Sequence, residues 1–197
     1  MLKFKLMLFL AAFGFSSSSM ASFYFESGIN HDFDPRWFWL SDERIDSENR
    51  INQQSLFTRF EFGKSYNWTK IKNIPVSLKG YITHDSNPFE TGREELRDMT
   101  AIGIKSCLNC ANPGGYLEAG LNYDPNPIVA ELNGGQITQG KFFTRIETGG
   151  KFKWAEFSQK KRPLFFKMGL SYDKTLTGSA DLRDMLALNI KLCIGSC

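Results

Sequence analysis

His84-Asp85-Ser86-Asn87 is the stretch of this sequence whose residue types and spacing first suggest chemistry. A serine hydroxyl is a weak nucleophile until an imidazole takes its proton. The imidazole serves best when a carboxylate orients it and balances the cation it becomes. Glu94 lies a little further along, with Glu95 and Asp98 as alternative carboxylates. Asn87 offers an amide donor to an oxyanion. Two other groups invite a chemical reading. Cys107-Leu108-Asn109-Cys110, with Cys193 and Cys197, has the look of a redox or zinc half-site. His31-Asp32-Phe33-Asp34 offers oxygen ligands to a divalent cation, although an exposed polar loop accounts for it more simply.

What His84 and Ser86 can do depends on the elements that carry them. The sequence is dominated by alternation of apolar and polar residues, the period of a β-strand with two unlike faces. Eight segments show it: residues 22–29, 55–64, 75–86, 98–107, 116–124, 141–154, 164–173 and 185–194. In the last, Leu186, Leu188, Ile190, Leu192 and Ile194 share one side, while Ala187, Asn189, Lys191 and Cys193 take the other. Across the set, the apolar face collects residues such as Phe23, Phe62, Val76, Ile104, Phe152 and Met168. The opposite face collects charges of both signs, among them Glu26, Arg59, Lys79, Glu118, Arg145 and Lys167.

Alternation alone leaves two barrels open: a soluble, lipid-carrying one with the apolar face inward, and a membrane barrel with that face outward. The second is favoured. An eight-stranded barrel has room inside only for side chains, and so many phenylalanine rings do not fit. The charged face also carries Gly28, Gly63, Gly103, Gly120, Gly149 and Gly169, small residues that suit a crowded lumen. The connections at 30–54, 87–97, 125–140 and 174–184 are longer than those at 66–74, 108–115 and 158–163, as in barrels with long external loops and short periplasmic turns. The expected fold is therefore all-β, an eight-stranded antiparallel up-and-down transmembrane β-barrel. Mixed charges inside it should pair and fill the lumen, which argues against a pore.

Export is consistent with this. Lys3 and Lys5, the apolar run at 6–15 and the small residues around Ser19-Met20-Ala21 read as a secretory signal over 1–21, with the barrel over 22–197. The chain holds 24 Lys+Arg against 21 Asp+Glu, and removing Lys3 and Lys5 brings it close to neutral. No basic footprint for nucleic acid is present. In an oxidising compartment the four cysteines are expected to form structural disulfides. Local pairing, 107 with 110 and 193 with 197, suits strands on opposite sides of a barrel; crossed bridges remain open because Cys107 and Cys193 share the lumen parity.

In this topology the third strand runs outward and places His84 and Ser86 on the outer wall near the external rim. The parity of the next strand extends back to Glu94. On that wall, His84-Asp85-Ser86-Asn87 with an acidic residue further on resembles the His-x-Ser-Asn motif of the PagL-type lipid A 3-O-deacylases. Those are eight-stranded outer-membrane barrels with an exterior Ser-His-Glu triad that removes an ester-linked acyl chain. The resemblance implies Ser86 as nucleophile, His84 as general base, Glu94 as orienting acid and Asn87 at the oxyanion. It implies no cofactor or metal. The family places its motif near the C-terminus, whereas four expected strands follow Ser86 here. The expected location is the cell outer membrane. The expected partner is outer-leaflet lipid (lipopolysaccharide), with a homodimer as an alternative to a monomer. A non-enzymatic barrel, structural or binding a surface partner through its loops, is the competing reading. Trp37-Phe38-Trp39 would dip into the interface or cover the rim, Trp68 and Trp154 suit an inner aromatic girdle, and Lys160-Lys161-Arg162 reads as a solvated turn.

Overall fold

A computed structural model describes residues 21–33, 37–39, 50–52, 55–86, 99–110, 112–127, 129–132, 135–157, 162–178 and 184–195. They form twelve strands: β1 (Ala21–Asp32), β2 (Trp37–Trp39), β3 (Arg50–Asn52), β4 (Leu56–Ile71), β5 (Ile74–Ser86), β6 (Met99–Leu108), β7 (Gly114–Tyr123), β8 (Val129–Leu132), β9 (Gly135–Thr138), β10 (Phe142–Phe157), β11 (Arg162–Thr175) and β12 (Met185–Gly195). Eight of these close an antiparallel barrel in the order β1-β12-β11-β10-β7-β6-β5-β4. They are the eight strands expected from alternation. The export segment expected over 1–21 lies outside the described residues up to residue 20.

The short connections are tighter than the alternation suggested. β4 continues to Ile71, and Ile71 pairs with Ile74 across a two-residue turn. Lys72 and Asn73 both have positive φ, 48° and 70°. That is the primed turn whose twist matches the flanking strands, and Asn73 suits it well. Two small hairpins, β2 with β3 and β8 with β9, occupy the long connections after β1 and after β7. They were not expected, although Asn133-Gly134 between β8 and β9 is a strong hairpin signal.

The apolar face points outward. Phe62, Ile104, Phe152 and Met168 are all more than half exposed, Ile104 to 68%. This removes the lipid-carrying barrel, which required the apolar face inside. Val76 is the exception: expected outside, it is buried. It pairs with Thr69 beside a register shift between Asn67 and Thr69, which breaks the alternation locally.

The lumen is filled with paired charges. At the long-loop end, Arg59 donates twice to Asp85 (both 2.6 Å), and Arg145 donates twice to Asp173 (2.7 and 2.6 Å). Each guanidinium lies over a phenylalanine ring, Phe57 or Phe143. Deeper in, Lys105 bridges Glu61 and Glu118 at 2.6 Å each, and Lys191 pairs with Glu147. Tyr24 and Tyr116 donate to Glu61 and Glu147 (2.7 and 2.8 Å). These groups are almost wholly buried. Pairing offsets the cost of removing such charges from water.

The lumen face also repeats itself. β1 reads Tyr24-x-Glu26-x-Gly28-x-Asn30-x-Asp32, and β7 reads Tyr116-x-Glu118-x-Gly120-x-Asn122-x-Asp124. Phe57-x-Arg59-x-Glu61-x-Gly63 on β4 returns as Phe143-x-Arg145-x-Glu147-x-Gly149 on β10. Met99-x-Ala101 and Lys105-x-Cys107 on β6 return as Met185-x-Ala187 and Lys191-x-Cys193 on β12. The pairing registers match as well. Arg59 pairs with Asp85 as Arg145 pairs with Asp173, and Gly28 with Arg59 as Gly120 with Arg145. The barrel therefore has an internal two-fold relation between β1-β4-β5-β6 and β7-β10-β11-β12.

Candidate functional site

β5 carries His84 and Ser86 at its long-loop end, two residues apart and hence on one face. That face is the outer wall: His84 is exposed and Ser86 half-buried. Asp85, between them, points into the lumen and is held by Arg59. It is therefore not the acid of an exterior site.

Cross-strand pairing sets the neighbours. His84 pairs with Phe60 on β4 and Thr100 on β6. The imidazole Nδ1 lies 3.0 Å from Thr100 Oγ1. A hydroxyl thus lies at one ring nitrogen, and Nε2 is free to accept a proton in the tautomer whose Nδ1–H donates to Thr100. The Ser86 carbonyl accepts a hydrogen bond from Thr58 Oγ1 (3.1 Å), which fixes the strand end where the serine sits. Glu94 and Asn87, expected as orienting acid and oxyanion donor, lie outside the described residues, as do Glu95 and Asp98. The structure places His84 and Ser86 on one face, with Thr100 as the residue whose side chain meets the imidazole. The signal for Thr100 was present in the sequence: it is the residue opposite His84 once the β5–β6 register is set.

The two-fold relation supplies an internal comparison. The positions matching His84, Ser86 and Thr100 in the second half are Tyr172, Lys174 and Leu186, given the register Asp85 to Met99 and Asp173 to Met185. Tyr172 and Leu186 are exposed, as expected of an apolar wall near a rim. An imidazole between two hydroxyl residues is a local departure from that pattern. Lys174 instead pairs with Asp184, whose carboxylate also accepts the Thr175 N–H (2.7 Å). Partial burial pushes the Asp184 carboxyl up, but these two partners outweigh it and hold it below the usual range.

The other candidates separate. Cys107 and Cys110 form a disulfide with a Cα–Cα distance of 5.7 Å, across the turn between β6 and β7. The crossed bridge from Cys107 to Cys193 is therefore not made. Cys193 is disulfide-bonded too, while Cys197 lies outside the described residues. His31 faces outward against the Phe33 ring, whereas Asp32 is buried, so the two do not converge on one ion. Asp34 lies outside the described residues. Trp37, Phe38 and Trp39 lie on β2, and the structure describes nothing of their side chains. Lys160 and Lys161 lie outside the described residues, and Arg162 opens β11. Trp68 and Trp154 are both exposed on the outer wall at the short-turn end, 62% and 65%.

A closed eight-stranded barrel with a packed polar lumen and an apolar, aromatic-edged exterior has the architecture of a small outer-membrane barrel. No family model, curated protein or solved structure matches the chain.

Proposed function

We propose that this protein spans the outer membrane of a Gram-negative-type envelope and cleaves an ester-linked acyl chain from outer-leaflet lipid at its external wall. The observation that carries the reading is the outward-facing pair His84–Thr100, with Ser86 on the same face at the rim end of β5. A lumen packed with ion pairs offers no passage, so chemistry has to work from outside. A wall of exposed apolar side chains is costly in water and at home in lipid, which would bring acyl chains alongside it.

In this reading His84 Nε2 takes the Ser86 proton as Oγ attacks the ester carbonyl, and the tetrahedral oxyanion is met by the Asn87 amide. Collapse expels the lipid alcohol, which receives the proton from the imidazolium. Water, deprotonated by the same histidine, then releases the fatty acid and restores the serine. Glu94 would balance the charge of the imidazolium, a role that comes from the resemblance to the deacylase motif, while Thr100 holds Nδ1. The competing reading, a structural or partner-binding barrel, is favoured by the hydroxyl rather than carboxylate at His84 Nδ1.

Mass spectrometry of lipid A decides between them. Cells expressing the wild-type protein should lose one hydroxy-acyl mass, and cells expressing Ser86→Ala should not. Unchanged lipid A with folded protein in the outer membrane leaves the structural barrel as the function.

A further inference from the structure

We infer that this barrel is a fused two-fold dimer: β1-β4-β5-β6 and β7-β10-β11-β12 are two copies of one four-stranded unit, and the binding partner of each is the other. Three independent observations carry this.

The first is the seam. A hairpin turn joins β6 to β7, so its register is fixed locally: Lys105 faces Gly120 and Cys107 faces Glu118. No turn joins β12 to β1; they are the two ends of the barrel sheet, yet Lys191 faces Gly28 and Cys193 faces Glu26. A seam without a turn takes its register from its side chains. Both seams use the same close approach. A Cβ on Gly28 would meet Lys191 Cγ at 2.5 Å, and one on Gly120 would meet Lys105 Cβ at 2.6 Å.

Reciprocity is the second. Lys79 of the first unit reaches Glu118 of the second at 2.9 Å, and Lys167 of the second reaches Glu26 of the first at 3.0 Å. Arg59 lies 3.8 Å from Asp173, and Arg145 lies 3.6 Å from Asp85. Residue i meets j' while i' meets j, the mark of an isologous interface.

The third is in the sequence alone. Thr91-Gly92 and Leu96-Arg97-Asp98-Met99 return at the same spacing as Thr177-Gly178 and Leu182-Arg183-Asp184-Met185. The likeness thus extends beyond the strands, into connections that barrel closure does not constrain.

One lumen level breaks the two-fold relation and supplies the test. In the first unit the Tyr81 ring covers Gly103, whose added Cβ would lie 2.5 Å from the ring, and its hydroxyl donates to Asn122 at 2.6 Å. The matching positions are Gly169, Asn189 and Asn30, with Gly169 facing Asn189 as Tyr81 faces Gly103. If the units are copies, the second unit's arrangement can be moved into the first. Gly103→Asn alone would drive its side chain into the Tyr81 ring and lower the temperature at which the full-length barrel, refolded in detergent, loses its folded gel mobility. Adding Tyr81→Gly gives this level the Gly–Asn pair found at Gly169 and Asn189 and should recover most of that loss. The reverse graft does not probe the relation, because a Cβ on Gly169 meets the Thr148 carbonyl oxygen at 2.3 Å whatever stands at 189. Recovery supports the fused dimer. Failure to recover, or a Gly103→Asn protein that behaves like wild type, overturns it.

Discussion

Arg59 and Asp85 meet in the barrel lumen through two parallel 2.6 Å hydrogen bonds, both side chains almost wholly buried. The pair is held on β4 and β5 by direct cross-strand register. Removing Asp85 takes away both short hydrogen bonds of a buried guanidinium and leaves it the longer contact to Asp173 at 3.8 Å. Asp85→Ala should therefore destabilise the barrel by about 3–5 kcal/mol, read as a lower urea midpoint in lipid vesicles. Replacing Arg59 and Asp85 together by apolar residues of similar volume should cost far less. If the single substitution is as mild as the double, the pair does not hold the lumen together.

The strands and their faces were legible because alternation is a local property, and every lumen-facing charge named in the sequence is buried where parity placed it. Val76 was misplaced because a register shift at Asn67/Thr69 is set by the partner strand, not by its own neighbours. β4 was cut short at residue 64 because Trp68, Lys70 and Ile71 are exposed beyond the packed lumen and do not alternate in burial. The repeat between β1 and β7 was present in the residues but is spread over every second position, where side-chain chemistry alone does not draw the eye. The site was half legible. Parity put His84 and Ser86 on one face, but Thr100 becomes a partner only through the β5–β6 register.

Thr100 is expected to orient His84, since its hydroxyl is the group at Nδ1. Thr100→Val would leave the fold intact and free the ring to turn. On the esterase reading, lipid A deacylation should fall by up to about 10²-fold, the loss typical of a misplaced catalytic group. Thr100→Ser should retain most of it. Nitrogen NMR of the imidazole gives a second readout without activity: the Nδ1 signal should shift in the valine variant and not in the serine variant. An unchanged signal in both removes Thr100 from the site.

Asp184 ties the start of β12 to the end of β11 through Lys174 and the Thr175 N–H. Its carboxyl is held below the usual range, so the folded form prefers it ionised. The sign follows. The tie contributes stability above the pKa of the unfolded chain and loses it as pH falls through the lower, folded value. The Thr175 amide should be protected from hydrogen exchange at neutral pH, relative to its intrinsic rate at that pH, and should lose this protection in acid. Asp184→Asn should show faster exchange at neutral pH, and the two proteins should converge in acid, where both side chains are neutral. Lys174 is half exposed, so solvent screens its share, and high salt should blunt the difference between the proteins.

Ile104 tests the outer wall. It sits within β6, pairs with Gly80 and Leu121, and is 68% exposed. On a water-facing surface a charge at such a position is nearly neutral, within about 0.5 kcal/mol. Against hydrocarbon it is not: arginine on the lipid face near the bilayer midplane costs about 2–4 kcal/mol. The same substitution therefore separates the two environments without disturbing the lumen, because Ile104 and Lys105 point to opposite sides of the strand. Ile104→Arg should lower the unfolding midpoint in lipid vesicles, and Ile104→Leu should leave it in place. An arginine at Ile104 that unfolds like wild type in vesicles would mean that this wall does not face acyl chains, and the membrane-spanning reading would fall with it.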